Sequence, residues 1–457
     1  MLDVVIMAAG LGTRMKSRMA KVLHAVGGRP LVAHVVRAAA ALGADRLVTI
    51  VGHQAASVEA AVRHAAEGRG FSEIAFALQS EQLGTGHAVQ QAAEHLAGET
   101  ILVLSGDVPL LESATLRTLV DAHAMEGNAA TLLSVRLADP TGYGRIVRSG
   151  SRDFERIVEH RDASEAERAI DEINAGIYAF DREKLVPALG RLSTGNEQGE
   201  YYLTDVLGML VADGERVGVV LHVDAAELAG INTRRELAET EARLKLRTLG
   251  RLMDGGVTIV DPLNTYVDDT VEVGSDTIIH PGSMISGATV IGEGCEIGPN
   301  VQLVDARIAD NVLVRAMSVV EKASIASGAM IGPFARIRPG TELGEDVHVG
   351  NFVEVKNSVL GAGAKANHLT YLGDAEVGPR SNIGAGTVTC NYDGKNKHRT
   401  TIGAEVYIGS DTMLVAPVTV GDGAKTGAGS VVTKDVPPNT LVVGVPARVI
   451  RKLERES

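Results

Sequence analysis

From residue 267 onward the chain places an aliphatic side chain at every sixth position: Val267, Val273, Ile279, Ile285, Ile291, Ile297 and Leu303. After one break the register resumes at Leu313, Val319, Ile325, Ile331, Ile337, Leu343, Val349 and Val355, and again at Ile402, Ile408, Leu414 and Val420. Six does not match the turn of a helix, and it is too long for the alternation of a single amphipathic strand. It suits a solenoid of flat sides, in which each hexad supplies one short strand with its aliphatic on the axis and three sides close a triangular coil. Glycine often follows the aliphatic directly, as at Gly292, Gly298, Gly332, Gly350, Gly403 and Gly409. Glycine and small polar residues are therefore expected at the corners, where positive φ is needed. On the repeat alone, a scaffold or oligomerisation rod stays open beside an enzyme.

The first 230 residues follow another pattern. Strand-like runs at Val4–Ala9, Leu47–Val51 and Ile101–Leu104 alternate with alanine-rich helical stretches, which predicts an α/β domain with a mainly parallel, Rossmann-like sheet. Thr233-Arg234-Arg235-Glu236 reads as a capping box, and Leu237, Leu244, Leu249 and Leu252 continue a helical pattern to Gly255-Gly256. The expected organisation is an α/β domain over 1–230, a connecting helix over 231–255, and a parallel β-helix over 256–457.

A chain of 457 residues with 45% apolar content can bury more than one core. Its net charge of -13 excludes a nucleic-acid or anionic-membrane surface over most of the molecule. Cys295 and Cys390 are the two cysteines and stand far apart, so reduced thiols in a reducing compartment are expected. The opening run Met1–Ala9 lacks a basic flank and is cut short at Gly10, which reads as a strand rather than a leader. No stretch approaches the roughly 18 apolar residues of a bilayer span, and the cytoplasm is the expected location.

Ala8-Ala9-Gly10-Leu11-Gly12-Thr13-Arg14-Met15 follows a strand and precedes Lys21. The turn's backbone amides can face a phosphate chain, with Arg14 and Lys21 as countercharge. The whole string resembles the signature of the sugar-nucleotide pyrophosphorylases, which join a sugar 1-phosphate to a nucleoside triphosphate. Further segments fall in family order. Gln79 and Gln82-Leu83-Gly84-Thr85-Gly86-His87 resemble the loop that reads uracil, and Leu104-Ser105-Gly106-Asp107 resembles a strand end with a metal carboxylate. Gly142-Tyr143-Gly144-Arg145, Glu159-His160, Ile173-Asn174-Ala175-Gly176 and Gly230-Ile231-Asn232 resemble the sugar-binding and second metal segments. The resemblance implies that UTP and the uridylylated sugar are held by Leu11, Gly12, Arg14, Lys21, Gln79, Gly84, Thr85, Asp107, Gly144, Glu159, Asn174 and Asn232, with Mg2+ on Asp107 and Asn232. The chemistry is coherent, because the attacking phosphate oxygen is already ionised and the obstacle is repulsion between anions, which cations relieve.

In the repeat half, residues 365–400 depart from simple hexads, with Lys365-Ala366-Asn367-His368, Asn382-Ile383-Gly384-Ala385-Gly386 and Thr389-Cys390-Asn391-Tyr392-Asp393-Gly394. Interruptions in a solenoid mark protruding loops. Over nearly the full chain the wording resembles the bacterial bifunctional uridyltransferase/acetyltransferases of amino-sugar activation. That resemblance implies a left-handed β-helix, a homotrimer with a shared acetyl site, and His368 as the base that takes a proton from the sugar amine. It further implies Arg338, Lys356, Tyr371 and Asn382 on glucosamine 1-phosphate, and Ala385, Asn391, Tyr392, Ser410 and Ala428 near acetyl-CoA. A neutral imidazole is a suitable proton acceptor near neutral pH. Ser105 stands where some members carry tyrosine, and no role is assigned to it or to Arg448. Two alternatives remain: a single-activity nucleotidyltransferase with a regulatory or structural β-helix, and a trimeric rod with a fused sensor.

Overall fold

Apolar runs ended by glycine or polar turns form nine strands of the first sheet: β1 (Leu2–Met7), β2 (Arg46–Val51), β3 (Glu73–Leu78), β4 (Thr100–Ser105), β5 (Ala130–Arg136), β6 (Arg145–Ser149), β7 (Asp153–Val158), β8 (Glu172–Asp181) and β9 (Val217–His222). The computed structural model describes residues 1–150 and 153–452. The main path runs β9-β5-β8-β4-β1-β2-β3, and the β6–β7 hairpin branches from β8. Only β8 on that path runs antiparallel to its neighbours, so the sheet is mixed but mostly parallel, as expected. Helices α1 (Leu31–Leu42), α2 (Ala55–Ala66) and α4 (Ser113–Glu126) cover one face, where Val35, Val58 and Leu116 pack with Ile6 and Leu104. The other face is covered by α3 (Thr85–Ala92), α5 (Arg182–Leu189) and α6 (Thr204–Ala212), whose Val89, Leu185 and Leu207 meet Val5 and Val103. Burial on both faces is why the central strands are nearly all Val, Ile and Leu.

Helix α7 (Arg234–Asp254) opens on the expected capping box. The Glu236 N–H donates to Thr233 Oγ1 at 3.2 Å and the Thr233 N–H to Glu236 Oε2 at 3.0 Å. The chain divides into two compact units, Met1–Ala242 and Arg243–Ser457, with the boundary inside this helix. No helix of the described residues is long and apolar enough to cross a membrane.

The second unit is a left-handed parallel β-helix whose three sheets contain 12, 10 and 9 strands. Each short strand pairs with the one a full coil later, as in Ile279↔Ile297, Ile285↔Leu303 and Ile291↔Ile308. The inward aliphatics form one continuous core along the axis.

Two details of the repeat differ from the sequence reading. Leu313 and Val319 are not the axial residues of their strands; Val314 and Val320 are, each 0% exposed. The inward register steps from Leu303 to Ile308, Val314, Val320 and Ile325, so two sides are one residue short. The glycines after the aliphatics also serve another purpose than positive φ. Among the six, only Gly332 has it, and the left-handed corners are often Asp or Asn, such as Asp276, Asn300 and Asn311. A Cβ on Gly298 would stand 2.8 Å from the backbone nitrogen of Ala316, and one on Gly409 would stand 2.8 Å from that of Ala428. Close stacking of successive coils, not backbone dihedral, excludes a side chain there. The register has a direct test: Ile308→Ala should cost roughly 2–5 kcal/mol in denaturant unfolding, while Leu313→Ala should cost far less. Equal losses would mean that Leu313 also faces the axis.

Candidate active site

The first cluster assembles at the carboxyl ends of β1 and β4. After β1 the chain turns through Gly12, whose φ is 61° and whose Cβ would lie 2.5 Å from the Cβ of Lys21. No larger residue fits that turn without moving Lys21. Leu11 is half exposed beside it. The Lys21 ammonium pairs with Asp107 Oδ2, just beyond β4, and donates to Asn232 Oδ1 at 3.2 Å. Arg14 donates to the same amide oxygen at 2.8 Å. Asn232 is fixed from behind, since the Ile231 N–H donates to the Asp107 carbonyl at 3.0 Å and the Asn232 N–H to Glu236 Oε2 at 2.6 Å. Arg14, Lys21, Asp107 and Asn232 thus come together from four segments, with two side-chain oxygens converging on one cationic point.

Among the described residues, no group of three or more His, Cys, Asp or Glu side chains could by itself hold a metal ion. A single carboxylate with one amide oxygen is a donor set that suits Mg2+, which usually completes its shell with water and substrate phosphates. Burial pushes the Tyr143 phenol above its usual range, and the charges of Glu236 and Asp107 add to this. The Gly142–Arg145 segment therefore lies beside the carboxylates.

Gln79 and Gly84 are joined, because the Gln79 amide donates to the Gly84 carbonyl at 3.1 Å. Thr85 Oγ1 accepts from the Leu203 N–H at 3.1 Å and ties this loop to the segment before α6. The Gly144 carbonyl accepts the Asn174 N–H at 2.9 Å, and the Asn174 amide donates to the Tyr178 hydroxyl at 2.7 Å. The Thr204 hydroxyl donates to Glu159 at 3.1 Å. Burial raises the Glu159 pKa above its ordinary value, and Asp162, Asp205 and Glu200 push in the same direction.

The second cluster follows from coil stacking. Asn351 and His368 are paired in register, and the His368 Nδ1–H donates to Asn351 Oδ1 at 3.0 Å. That bond sets the proton on Nδ1 and leaves the Nε2 lone pair open. Each of these residues stands two places after an axial position, and so do Ala385, Ser410 and Ala428 in the following coils. The Asp411 N–H donates to the Ala385 carbonyl at 2.7 Å and the Gly429 N–H to that of Ser410 at 2.8 Å. All five residues therefore line one edge of the prism. Asn382 lies in the same sheet, one coil beyond Lys365.

The next edge carries the charged group. Asp374 accepts from the Asn357 amide at 2.6 Å and from the Asn391 amide at 2.5 Å, with Lys356 4.0 Å away. Burial pushes the Asp374 carboxyl up, but these two amides and the Lys356 and Lys397 ammoniums outweigh it and hold it below its usual range. Contact with Lys356 lowers the Lys397 pKa, while Asp374 and Tyr371 act in the opposite direction. Arg338 donates to Glu354 at 2.6 Å, which with the Tyr371 phenol raises its pKa. Lys356, Tyr371 and Asn391 thus share one neighbourhood, and the strand Tyr371–Gly373 separates it from the His368 edge, with corners at Leu369 and Asp374. Tyr392 is exposed and its hydroxyl donates to the Gly394 carbonyl at 2.7 Å. Arg448 pairs with Val443 in the last antiparallel strand. No local pattern in the sequence marks Asn351, Asp374 and Lys397: coil register brings the first two to these edges, and the loop that leaves the coil after Cys390 brings Lys397.

Together the fold and the clusters define a nucleotidyltransferase joined to a hexapeptide transferase. The nucleotidyl transferase family matches residues 3–226, the GMPPB C-terminal domain family residues 266–360, and the bacterial transferase hexapeptide family residues 399–434. The bifunctional protein GlmU of Streptomyces avermitilis is 51% identical over 96% of this chain and 91% of its own length. That of Acidovorax sp. (strain JS42) is 51% identical over 97% of this chain and 95% of its own, and that of Corynebacterium glutamicum 50% identical over 96% and 91%. The chain belongs to the bifunctional GlmU family and is an enzyme with two transferase activities.

Glu159 gives this geometry a pH signature. With its folded-state pKa above the ordinary 4.5, the folded protein holds that proton more tightly than the unfolded chain does. The resulting stabilisation is complete below about pH 4.5 and is lost as pH rises through the raised value. At pH 7 the half-buried carboxylate therefore costs stability relative to its protonated form, and Glu159→Gln is expected to raise Tm there. The gain should vanish by pH 4. A scanning-calorimetry difference independent of pH would refute the burial of this charge.

Proposed function

We propose that the β-helix acetylates glucosamine 1-phosphate with acetyl-CoA, and that the α/β unit then transfers uridylyl from UTP to give UDP-N-acetylglucosamine and pyrophosphate, in the bacterial cytoplasm. This product feeds peptidoglycan and lipopolysaccharide precursors. Residues 1–230 would form the uridyltransferase, 231–255 the connecting helix and 256–457 the acetyltransferase. The observation that carries the reading is that each unit holds its own cluster of cations: Arg14 with Lys21, and Lys356 with Lys397.

In acetyl transfer, Lys356, Lys397 and Arg338 would neutralise the sugar phosphate, with Tyr371 and Asn382 on the sugar. The amine nitrogen attacks the thioester carbon, and its proton passes to His368 Nε2. The tetrahedral oxyanion collapses, the carbon–sulfur bond breaks, and the thiolate recovers the proton as CoA leaves. Acetyl-CoA would lie along the edge of Ala385, Ser410 and Ala428, near Asn391 and Tyr392. A homotrimer is part of the proposal. His368 and Lys356 occupy different edges of one chain, and a neighbouring prism could complete the site. Light scattering should report three chains per particle; a monomer with full acetyltransferase activity would exclude the trimer.

In uridylyl transfer, a phosphate oxygen of N-acetylglucosamine 1-phosphate attacks the α-phosphorus of UTP and pyrophosphate departs. Arg14, Lys21 and the amides around Gly12 would offset the charge, while Glu159, Asn174 and Gly144 orient the sugar and Gln79, Gly84 and Thr85 hold the base. Asp107 and Asn232 would hold Mg2+, which supplies charge neutralisation on the phosphates.

A reciprocal pair of variants tests the division of labour. Asp107→Asn should lower uridyl-transfer kcat/KM by at least about 10²-fold and leave acetyl transfer intact. His368→Ala should cut acetyl-transfer kcat by roughly 10²–10⁴-fold and leave uridyl transfer intact. Loss of both activities in either folded variant would sink the assignment.

A further inference from the structure

We infer that His87 is a positioning residue for base selection: it fixes the Gln79 side-chain amide so that its oxygen, not its nitrogen, meets the pyrimidine. The inference rests on the reading above that the Gln79–His87 segment holds the base.

Gln79 directly follows β3 and is 4% exposed. Its N–H donates to the Val51 carbonyl at 2.8 Å, which anchors the residue to the end of β2. Its carbonyl also lies against the glycine-rich turn, since a Cβ on Gly52 would stand 2.8 Å from the Ala9 oxygen and 3.1 Å from that of Gln79. A primary amide has two N–H donors. One donates to the Gly84 carbonyl at 3.1 Å and the other to His87 Nδ1 at 3.2 Å. Turning the amide over would set its oxygen against the Gly84 carbonyl, which cannot donate; in the orientation that remains, His87 Nδ1 is the second acceptor, with the ring proton on Nε2, and holds the amide at its other N–H. Gln79 Oε1 accepts no hydrogen bond from the described residues, and it is not among the side-chain atoms sealed from solvent without a partner.

The acceptors are themselves rigidly held. The Tyr201 N–H donates to the Leu83 carbonyl and the Gly86 N–H to the Tyr201 carbonyl, both at 2.8 Å. The His87 ring lies 6.2 Å from the Tyr201 ring, tilted by 32°. A fixed acceptor on a side chain that is otherwise buried favours a base edge that offers hydrogen at the ring nitrogen. Uracil has N3–H; cytosine has a bare N3 whose lone pair would face that of Oε1. Sites that read a hydrogen-bonding group in this way reject a mismatched analogue strongly, because a buried polar group is left unpaired.

The test uses the full-length enzyme and the ratio of kcat/KM for UTP over CTP with N-acetylglucosamine 1-phosphate, together with calorimetric Kd values for both nucleotides. His87→Phe keeps a ring against Tyr201 but removes the acceptor, and should lower the UTP:CTP ratio at least about tenfold. His87→Asn returns an acceptor oxygen at the δ position and should restore the ratio toward that of the native enzyme. An unchanged ratio in His87→Phe, or equal loss with both nucleotides, would overturn the positioning role. Gln79→Ala separates the two levels: if it leaves the ratio untouched, the segment does not read the base at all, and both the inference and the reading beneath it fall.

Discussion

Parallel strands satisfy each other's backbone groups only when the chain leaves the sheet and returns on the same side, and both units of this protein are built around that requirement. In the first unit the return paths are helices, so β1, β3 and β4 all deliver their carboxyl ends to one margin, where Gly12, Gln79 and Asp107 follow. In the second unit the return path is the rest of the coil, and residues at equal distance from the axial aliphatic fall on one edge. The column Asn351, His368, Ala385, Ser410 and Ala428 is the direct result. The repeat that builds the core thereby also aligns the polar residues that interrupt it.

Electrostatics then differentiates the sites. An acidic protein with net charge -13 must concentrate cations locally to receive phosphates. It does so in both units by setting basic side chains around a single carboxylate, Asp107 in one and Asp374 in the other. The carboxylate keeps the cations from repelling one another apart before the anion arrives. Lys397 illustrates the tension, since Lys356 beside it makes its charge costlier to hold. Glu159 shows the opposite arrangement. Here acids are gathered with little countercharge, an environment that suits the hydroxyls of a neutral sugar ring rather than a phosphate.

The fold was legible because hydrophobic period is a property of the linear chain. The six-residue register, the α/β alternation and the Thr233–Glu236 capping box each depend on neighbours in sequence, and each is present in the structure. The two short sides near residues 303–325 were harder, because a five-residue step shifts the axial position by one and Leu313 and Val319 are as aliphatic as Val314 and Val320. Glycine's purpose is hidden in the sequence for a related reason: the approach of Gly298 to the next coil exists only after stacking. The partners Asn351, Asp374 and Lys397 lie 17, 18 and 41 residues from His368, Lys356 and Lys356 respectively, and no local pattern marks them.

Coil geometry also bears on why two transferases can share one chain without sharing residues. The α/β site needs converging strand ends, and every member of its cation cluster lies before Ala242. On the proposed assignment acetyl transfer uses a long straight edge for an extended cofactor, which a solenoid provides at the cost of an open surface. In the single chain His368 and Tyr392 are both exposed. Excluding water during attack on the thioester then requires a wall from elsewhere. The proposed trimer would supply that wall from a second copy of the chain, with no new fold.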